Sequence, residues 1–191
     1  MKIILASASP RRRELMKLIT EDFTAVSVDA DETLPDDIVM KGICGAAEYL
    51  ARVKAEKAHE MFPEDIVIGC DTTVVCRSKI LGKPKDKEQA REYLHMLSGN
   101  VHSVFTGCCI MYGDRTVSFD EGTDVFFNEL SDEEIEDYIS TDEPYDKAGG
   151  YGIQGRGALF VNKINGDFFN VMGLPVSRLN KELKEFIKGV R

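Results

Sequence analysis

The sequence predicts a mixed α/β fold, and three observations carry that expectation. Strand-like apolar runs and stretches of helical periodicity alternate along the chain. Strand patterns joined by tight turns crowd the second half, which argues for antiparallel hairpins and against a purely parallel, doubly wound sheet. The 191 residues show no repeat and no low-complexity linker. They suit one domain, residues 1–191, with a sizeable core and room for two lobes.

Residues 2–6 hold two adjacent isoleucines in an apolar run and read as a buried strand. Ser9 is a good N-cap, Pro10 fits the first helical position, and Leu15, Leu18 and Ile19 follow at helical spacing. Residues 23–28 predict a second strand and 29–37 an acidic loop. A helical pattern with Ala47, Leu50, Ala51, Lys54 and Ala58 spans 39–61, weakened at its start by Gly42 and Gly45 and ended by Pro63. Residues 66–70 predict a buried strand that places Asp71 at its carboxyl end. Residues 74–76 and 79–81 form a hairpin that Gly82-Lys83-Pro84 breaks. Residues 87–97 are helical, and 102–112 and 116–128 are strands joined at Gly113-Asp114. Ser131 and Glu134 make a capping box for the next helix, which ends before Pro144. Residues 146–157 are a glycine-rich loop. Residues 159–164 and 168–172 predict a further hairpin across Asn165-Gly166-Asp167, and Pro175 opens a terminal helix reaching residue 188.

Composition excludes several classes of function. The net charge of −9 argues against a nucleic-acid partner, which needs a basic surface. No apolar run reaches membrane-spanning length, and residues 1–8 lack the form of a signal peptide. The five cysteines form no CxxC pair and read as reduced thiols of a cytoplasmic protein, none of them catalytic. His59, His95 and His102 match no zinc spacing and read as structural.

Several polar residues are candidates for chemistry. Arg11, Arg12 and Arg13 occupy a first helical turn, where the dipole favours anions. A bound phosphate would resolve that conflict, and so would a solvated basic face paired with Glu14 or other acids. Asp71 suits a metal ligand, a base or a cap for the following turn; it is not part of an Asp-x-Asp motif, because Thr73 holds the second position. Taken alone, Glu32 reads as a solvated loop carboxylate and Lys54 as an exposed helix cation. Lys83 sits on a rigid turn but in no Walker A motif, since Arg77 and Pro84 replace the required residues. Residues 150–155 match GxGxxG without the flanking strand and helix of a dinucleotide fold. What remains there is either a plain turn or one whose amide, Gln154, hydrogen-bonds a base edge.

An ordered set of motifs says more than any one of these residues. Ser9-Pro10-Arg11-Arg12 with Glu14-Leu15, Ala51-Arg52-x-Lys54-Ala55, Gly69-x-Asp71-Thr72, Gly82-Lys83-Pro84, Leu97-Ser98-Gly99 with His102, residues 146–155 and Gly173-Leu174-Pro175 follow one another along almost the whole chain. In that order they closely resemble the Maf family of nucleoside triphosphate pyrophosphatases. The resemblance implies a mixed twisted sheet flanked by helices, two lobes akin to the inosine triphosphate pyrophosphatases, and a nucleotide cleft between lobes. It implies hydrolysis of a nucleoside triphosphate to monophosphate and pyrophosphate with a divalent metal, Mg or Mn, and a homodimer. Carried over by position, the catalytic carboxylate falls on Asp71, and its supporting groups fall on Ser9, Arg12, Glu32, Lys54 and Lys83. Arg11, Thr72 and Gln154 resemble the branch that prefers dTTP and UTP over the branch that prefers 7-methyl-GTP. Cys70 and Gly149-Gly150 depart from the usual Ala and Gly-Ala without touching a catalytic position.

Charge arithmetic agrees with the carry-over. Arg12, Lys54 and Lys83 supply counter-charge to a triphosphate, and Glu32 and Asp71 supply hard oxygen ligands for a metal. Relief of cationic crowding predicts that Arg12→Ala leaves the ligand-free protein as stable as before. The competing expectation is a nucleotide-binding regulator of cell division and septum formation without turnover. The intact set Asp71, Glu32 and Lys83 favours the enzyme.

Overall fold

A computed structural model of the chain describes residues 1–35, 38 and 45–190. The fold is mixed α/β, as the sequence predicts. Its elements are β1 (Ile3–Ala6), α1 (Pro10–Met16), β2 (Thr24–Val26), α2 (Ala46–Met61), β3 (Ile66–Cys76), β4 (Lys79–Leu81), α3 (Lys87–Leu97), β5 (Val101–Tyr112), β6 (Arg115–Phe127), α4 (Asp132–Ile139), β7 (Val161–Asn165), α5 (Phe168–Met172) and α6 (Val176–Lys188). The sheet order is β2-β1-β3-β5-β6-β7, with β4 paired to β3. β1 pairs in parallel with β2 and β3, whereas β3–β4 and β6–β7 are antiparallel, so the sheet is mixed. No helix among the described residues is long and apolar enough to cross a membrane.

The chain divides into two compact units: residues 1–71, 106–121 and 173–191 form the first, and residues 72–105 and 122–172 the second. In the first unit, α2 turns Ala51, Ala55 and Ala58 onto Ile4, Ala6, Val67 and Cys109. The alanine face lets the helix backbone come very near the strands. A Cβ on Gly69 would stand 2.1 Å from the Ala51 carbonyl oxygen, and one on Gly107 2.2 Å from the Ala47 backbone. In the second unit, α3 and α4 bury Leu94, Leu97, Ile135, Tyr138 and Ile139 with Val104, Val125 and Phe127. His102 is buried there beside Phe127, and its Nε2 shares a 2.7 Å hydrogen bond with the Tyr151 hydroxyl.

Local signals explain most boundaries. Ser9 Oγ accepts from the Arg12 amide with Pro10 at the first position, Asp86 caps α3, and Ser131 with Glu134 completes the expected capping box. Four expectations need correction. Asp71 does not end a strand: β3 runs from residue 66 to 76, because Val74, Val75 and Cys76 continue the extended chain and pair with β4. Only the parallel partner stops short, at Ala6 opposite Gly69. β2 covers three residues of the expected 23–28. Residues 168–172 form a helix, not the return strand of a hairpin. The Asp167 carboxylate accepts from the Phe169 amide, and the buried Asn170 amide donates to the Val104 carbonyl and to Thr123 Oγ1. Finally, α2 begins at residue 46, after Gly45 in the left-handed region at φ 87°. The expected helical residues 39–44, loop positions 36 and 37, and Cys44 lie outside the described residues.

Two outcomes test this packing. Gly69→Ala should cost about 3 kcal/mol in urea unfolding, the upper end for overpacking, since the obstructing atoms are backbone. An unchanged midpoint would mean that α2 does not sit on Gly69. The second concerns pH. Burial lowers the His102 pKa to about 4, opposed by the nearby Asp124 carboxylate. A lowered histidine stabilises the fold fully above its unfolded value of about 6.5, and the contribution is lost as the pH falls from there through about 4. It amounts to about 3 kcal/mol. Unfolding at pH 7 and pH 4.5 should show a smaller loss in His102→Gln than in the parent; equal losses would contradict the assignment.

Candidate active site

The close seating of α2 on β3 fixes the polar centre of the first unit. Asp71 lies two residues beyond Gly69, so the strand alternation puts both side chains on the face that α2 covers. Lys54 lies three residues beyond Ala51, on the same face of the helix. The two meet, with Lys54 Nζ 2.5 Å from Asp71 Oδ1. Glu32, from the segment after β2, places Oε1 2.9 Å from the same ammonium. Two carboxylates therefore converge on one cation. The Lys54 and Asp71 side chains are 14% and 13% exposed, while Glu32 is 60% exposed, so the cluster opens to solvent on the Glu32 side.

Arg12 braces the strand next to this cluster. Its Nε donates to the Gly173 carbonyl at 2.8 Å, and its Nη1 donates to the Cys70 carbonyl at 3.0 Å and to Ser7 Oγ at 3.4 Å. Ser7 Oγ also accepts from the Ser9 amide. The guanidinium thus ties α1, the residue before Asp71 and the turn before α6 together. Cys70 Sγ lies 3.7 Å from Cys108 Sγ in the buried sheet. Burial drives the Cys108 thiol well up and the Cys109 thiol to about 12, which makes both poor nucleophiles.

The structure brings Ser9, Arg12, Glu32, Lys54 and Asp71 into the first unit, with Arg11 half-buried on α1. Thr72, Lys83 and Gln154 belong to the second. Lys83 is exposed, and its turn is tied to the glycine-rich loop by the Gly149 amide donating to the Gly82 carbonyl at 3.0 Å. Gln154 is exposed at the crest of that loop, and its side chain makes no hydrogen bond among the described residues. Sequence reasoning missed Ser7 and Glu143. Glu143 accepts from Tyr138 and from the amides of Arg156 and Gly157. Ser7 precedes a capping serine, and Glu143 reaches partners up to 14 residues away, so neither carried a local signal.

Two carboxylates converging on one point also suit a hard divalent cation. Among the described residues no three His, Cys, Asp or Glu side chains cluster as a complete cage. Mg²⁺ commonly takes one or two carboxylates and completes its shell with water and substrate phosphates, so Glu32 and Asp71 fit that demand.

The model of the Maf-like protein family matches residues 2–186. The chain belongs to the Maf family. Among Maf relatives, a dTTP/UTP pyrophosphatase of Bacillus cytotoxicus is 50% identical over 193 residues, covering 98% of this chain and 97% of that protein. A dTTP/UTP pyrophosphatase of Bacillus cereus is 47% identical over 190 residues, covering 97% and 95%. The Ham1 protein of Staphylococcus aureus shares the fold, with a TM-score of 0.56 at 15% identity over the full length of both chains. The resemblance read from the ordered motifs is therefore borne out at the level of family and fold.

The hydrogen bonds of Arg12 revise one expectation. Arg12→Ala would strand the Gly173 and Cys70 carbonyls, so the ligand-free protein should lose about 1–3 kcal/mol. Thermal denaturation without nucleotide checks this. An unchanged melting temperature would restore the view that crowded charges alone govern this helix end.

Proposed function

We propose that the protein is a nucleoside triphosphate pyrophosphatase that hydrolyses dTTP and UTP to the monophosphate and pyrophosphate. The observation that carries the proposal is the convergence of Asp71, Lys54 and Glu32 in a chain nearly half identical to proteins named for that reaction. The same names favour turnover over a non-catalytic role in cell division.

In this reading Asp71 orients the attacking water and takes its proton, since it is the less exposed carboxylate of the pair and is paired with Lys54. Glu32 and Asp71 would hold Mg²⁺ or Mn²⁺. When bound, that metal polarises the phosphoryl oxygens and offsets charge on the leaving group. Lys54 holds both carboxylates in register and, with Arg12 and Lys83, provides counter-charge to the triphosphate. Ser9 supports the turn that presents Arg12, through the bond from the Arg12 amide to its hydroxyl. Arg11, Thr72 and Gln154 read the base. The Gln154 amide offers an acceptor and donors in one plane, which suits a pyrimidine bearing carbonyls and an N3–H. A homodimer belongs to the same proposal, supported by the family resemblance, and a cytoplasmic location is supported by the reading of the cysteines as reduced thiols.

Pyrophosphate release from a panel of nucleotides with magnesium tests the reading. UTP and dTTP should run well ahead of ATP and GTP, with little discrimination at the sugar 2′ position; equal rates on ATP and UTP would refute the base-reading roles. Asp71→Asn should keep the fold and lower turnover by at least about 10²-fold, the scale of a lost general base. Near-normal turnover in that variant would remove Asp71 from the chemistry.

A further inference from the structure

Gln154 stands at the crest of a loop whose two ends are fastened to one carboxylate. On the descending side, the Arg156 amide donates to Glu143 Oε2 at 2.9 Å and the Gly157 amide to Glu143 Oε1 at 3.1 Å. On the ascending side, the Gly152 amide donates to the Tyr138 hydroxyl at 3.2 Å, and that hydroxyl donates to Glu143 Oε1 at 2.9 Å. The Gly155 amide closes the turn onto the Gly152 carbonyl at 3.2 Å. The glycines leave room for the carboxylate. A Cβ on Gly155 would stand 2.4 Å from Glu143 Oε1, and one on Gly157 3.0 Å from the Tyr138 hydroxyl oxygen. Lys147 Nζ, 2.8 Å from the Glu143 carbonyl oxygen, fixes the carboxylate's own backbone.

Three donors thus converge on a single side chain, and the stretch between the fastened amides, residues 153–155, carries the exposed Gln154 amide. A structural staple needs one such bond; this arrangement fixes the backbone on both flanks of Gln154 at once. Burial pushes the Glu143 carboxyl up, but the amides of Gly157 and Arg156, the Tyr138 hydroxyl and the Lys147 ammonium outweigh it and hold the group below its ordinary value. The carboxylate form, an acceptor for all three donors, is the one that fits the loop.

We propose that Glu143, acting with Tyr138, is a positioning residue for base selection: it holds the 152–157 turn so that Gln154 meets the pyrimidine edge in one orientation. The inference rests on the reading of Gln154 as a base reader. Freed from Glu143, Gln154 would sample many orientations and incur an ordering cost at each encounter with a base. Binding of the pyrimidine would suffer more than the reaction at the phosphates.

Steady-state kinetics on UTP and ATP, run on the parent, Gln154→Ala, Glu143→Ala and the double variant, test the proposal. Glu143→Ala should raise KM for UTP and narrow the UTP-to-ATP ratio of kcat/KM by about tenfold, the equivalent of one lost hydrogen bond, with kcat changed far less. The double variant should be no worse than Gln154→Ala alone. If Glu143→Ala does not fold, Tyr138→Phe, which removes only the relay hydroxyl, should narrow the ratio in the same direction. If Gln154→Ala narrows the ratio but the folded Glu143 and Tyr138 variants keep it, Glu143 is a staple only: the proposal fails while the base reader stands. A fall in rate that is uniform on both nucleotides in the Glu143 and Tyr138 variants overturns the proposal in the same way. If Gln154→Ala leaves the ratio unchanged, the base-reader reading falls and takes the proposal with it.

Discussion

The contact between the Ala51 carbonyl and Gly69 sets the geometry on which the cluster of Asp71, Lys54 and Glu32 depends. With a side chain larger than hydrogen at 69, or larger than methyl at 51 or 55, α2 could not lie so near β3. From that contact the periods of the two elements do the rest. Three residues along the helix bring Lys54, and two along the strand bring Asp71, to the same point. Glycine within a strand costs conformational entropy and contributes no packing of its own. Here that cost is offset by a helix seated closely enough for its lysine to reach a strand carboxylate.

The electrostatics follow from this placement. A lysine and an aspartate at 14% and 13% exposure are costly to bury apart, and their pairing at 2.5 Å makes the placement tolerable. The second carboxylate, Glu32, sits toward solvent, where it can exchange partners at little cost. Removing Lys54 would leave Asp71 buried without its cation, so the lysine has a structural part whatever its part in function. The same holds for Arg12. Its bonds to two backbone carbonyls brace the strand position just before Asp71, which places one end of β1 and the start of α6 under the control of a residue that sequence alone marks only as crowded charge.

Much of the fold was legible because its boundaries are written locally. Ser9-Pro10, Asp86 and the Ser131–Glu134 box mark helix starts through contacts within four residues. The hairpin at Gly113-Asp114 follows from turn chemistry. The failures share a different cause. Residues 165–167 carry a strong turn signal, yet the segment after them is helical, because Asn170 finds buried partners on strands far away in the chain. The apolar run reads as ending at Cys70 because the polar residues Asp71, Thr72 and Thr73 interrupt it, whereas pairing with β4 carries the strand on to Cys76. At the site, the ordered motifs marked Lys54, Glu32 and Asp71 through resemblance. Taken singly, Glu32 and Lys54 read as ordinary surface charges, since nothing local reveals that a loop, a helix and a strand converge. Glu143 was invisible for the same reason.

The function rests on which bond is broken. A ³¹P NMR spectrum of UTP incubated with the protein and magnesium resolves the products directly. The converging carboxylates and the family relatives lead us to expect UMP and pyrophosphate in equal amounts, with no UDP. UDP with orthophosphate, or an unchanged UTP spectrum from folded protein, would contradict the assignment of this centre as a pyrophosphatase.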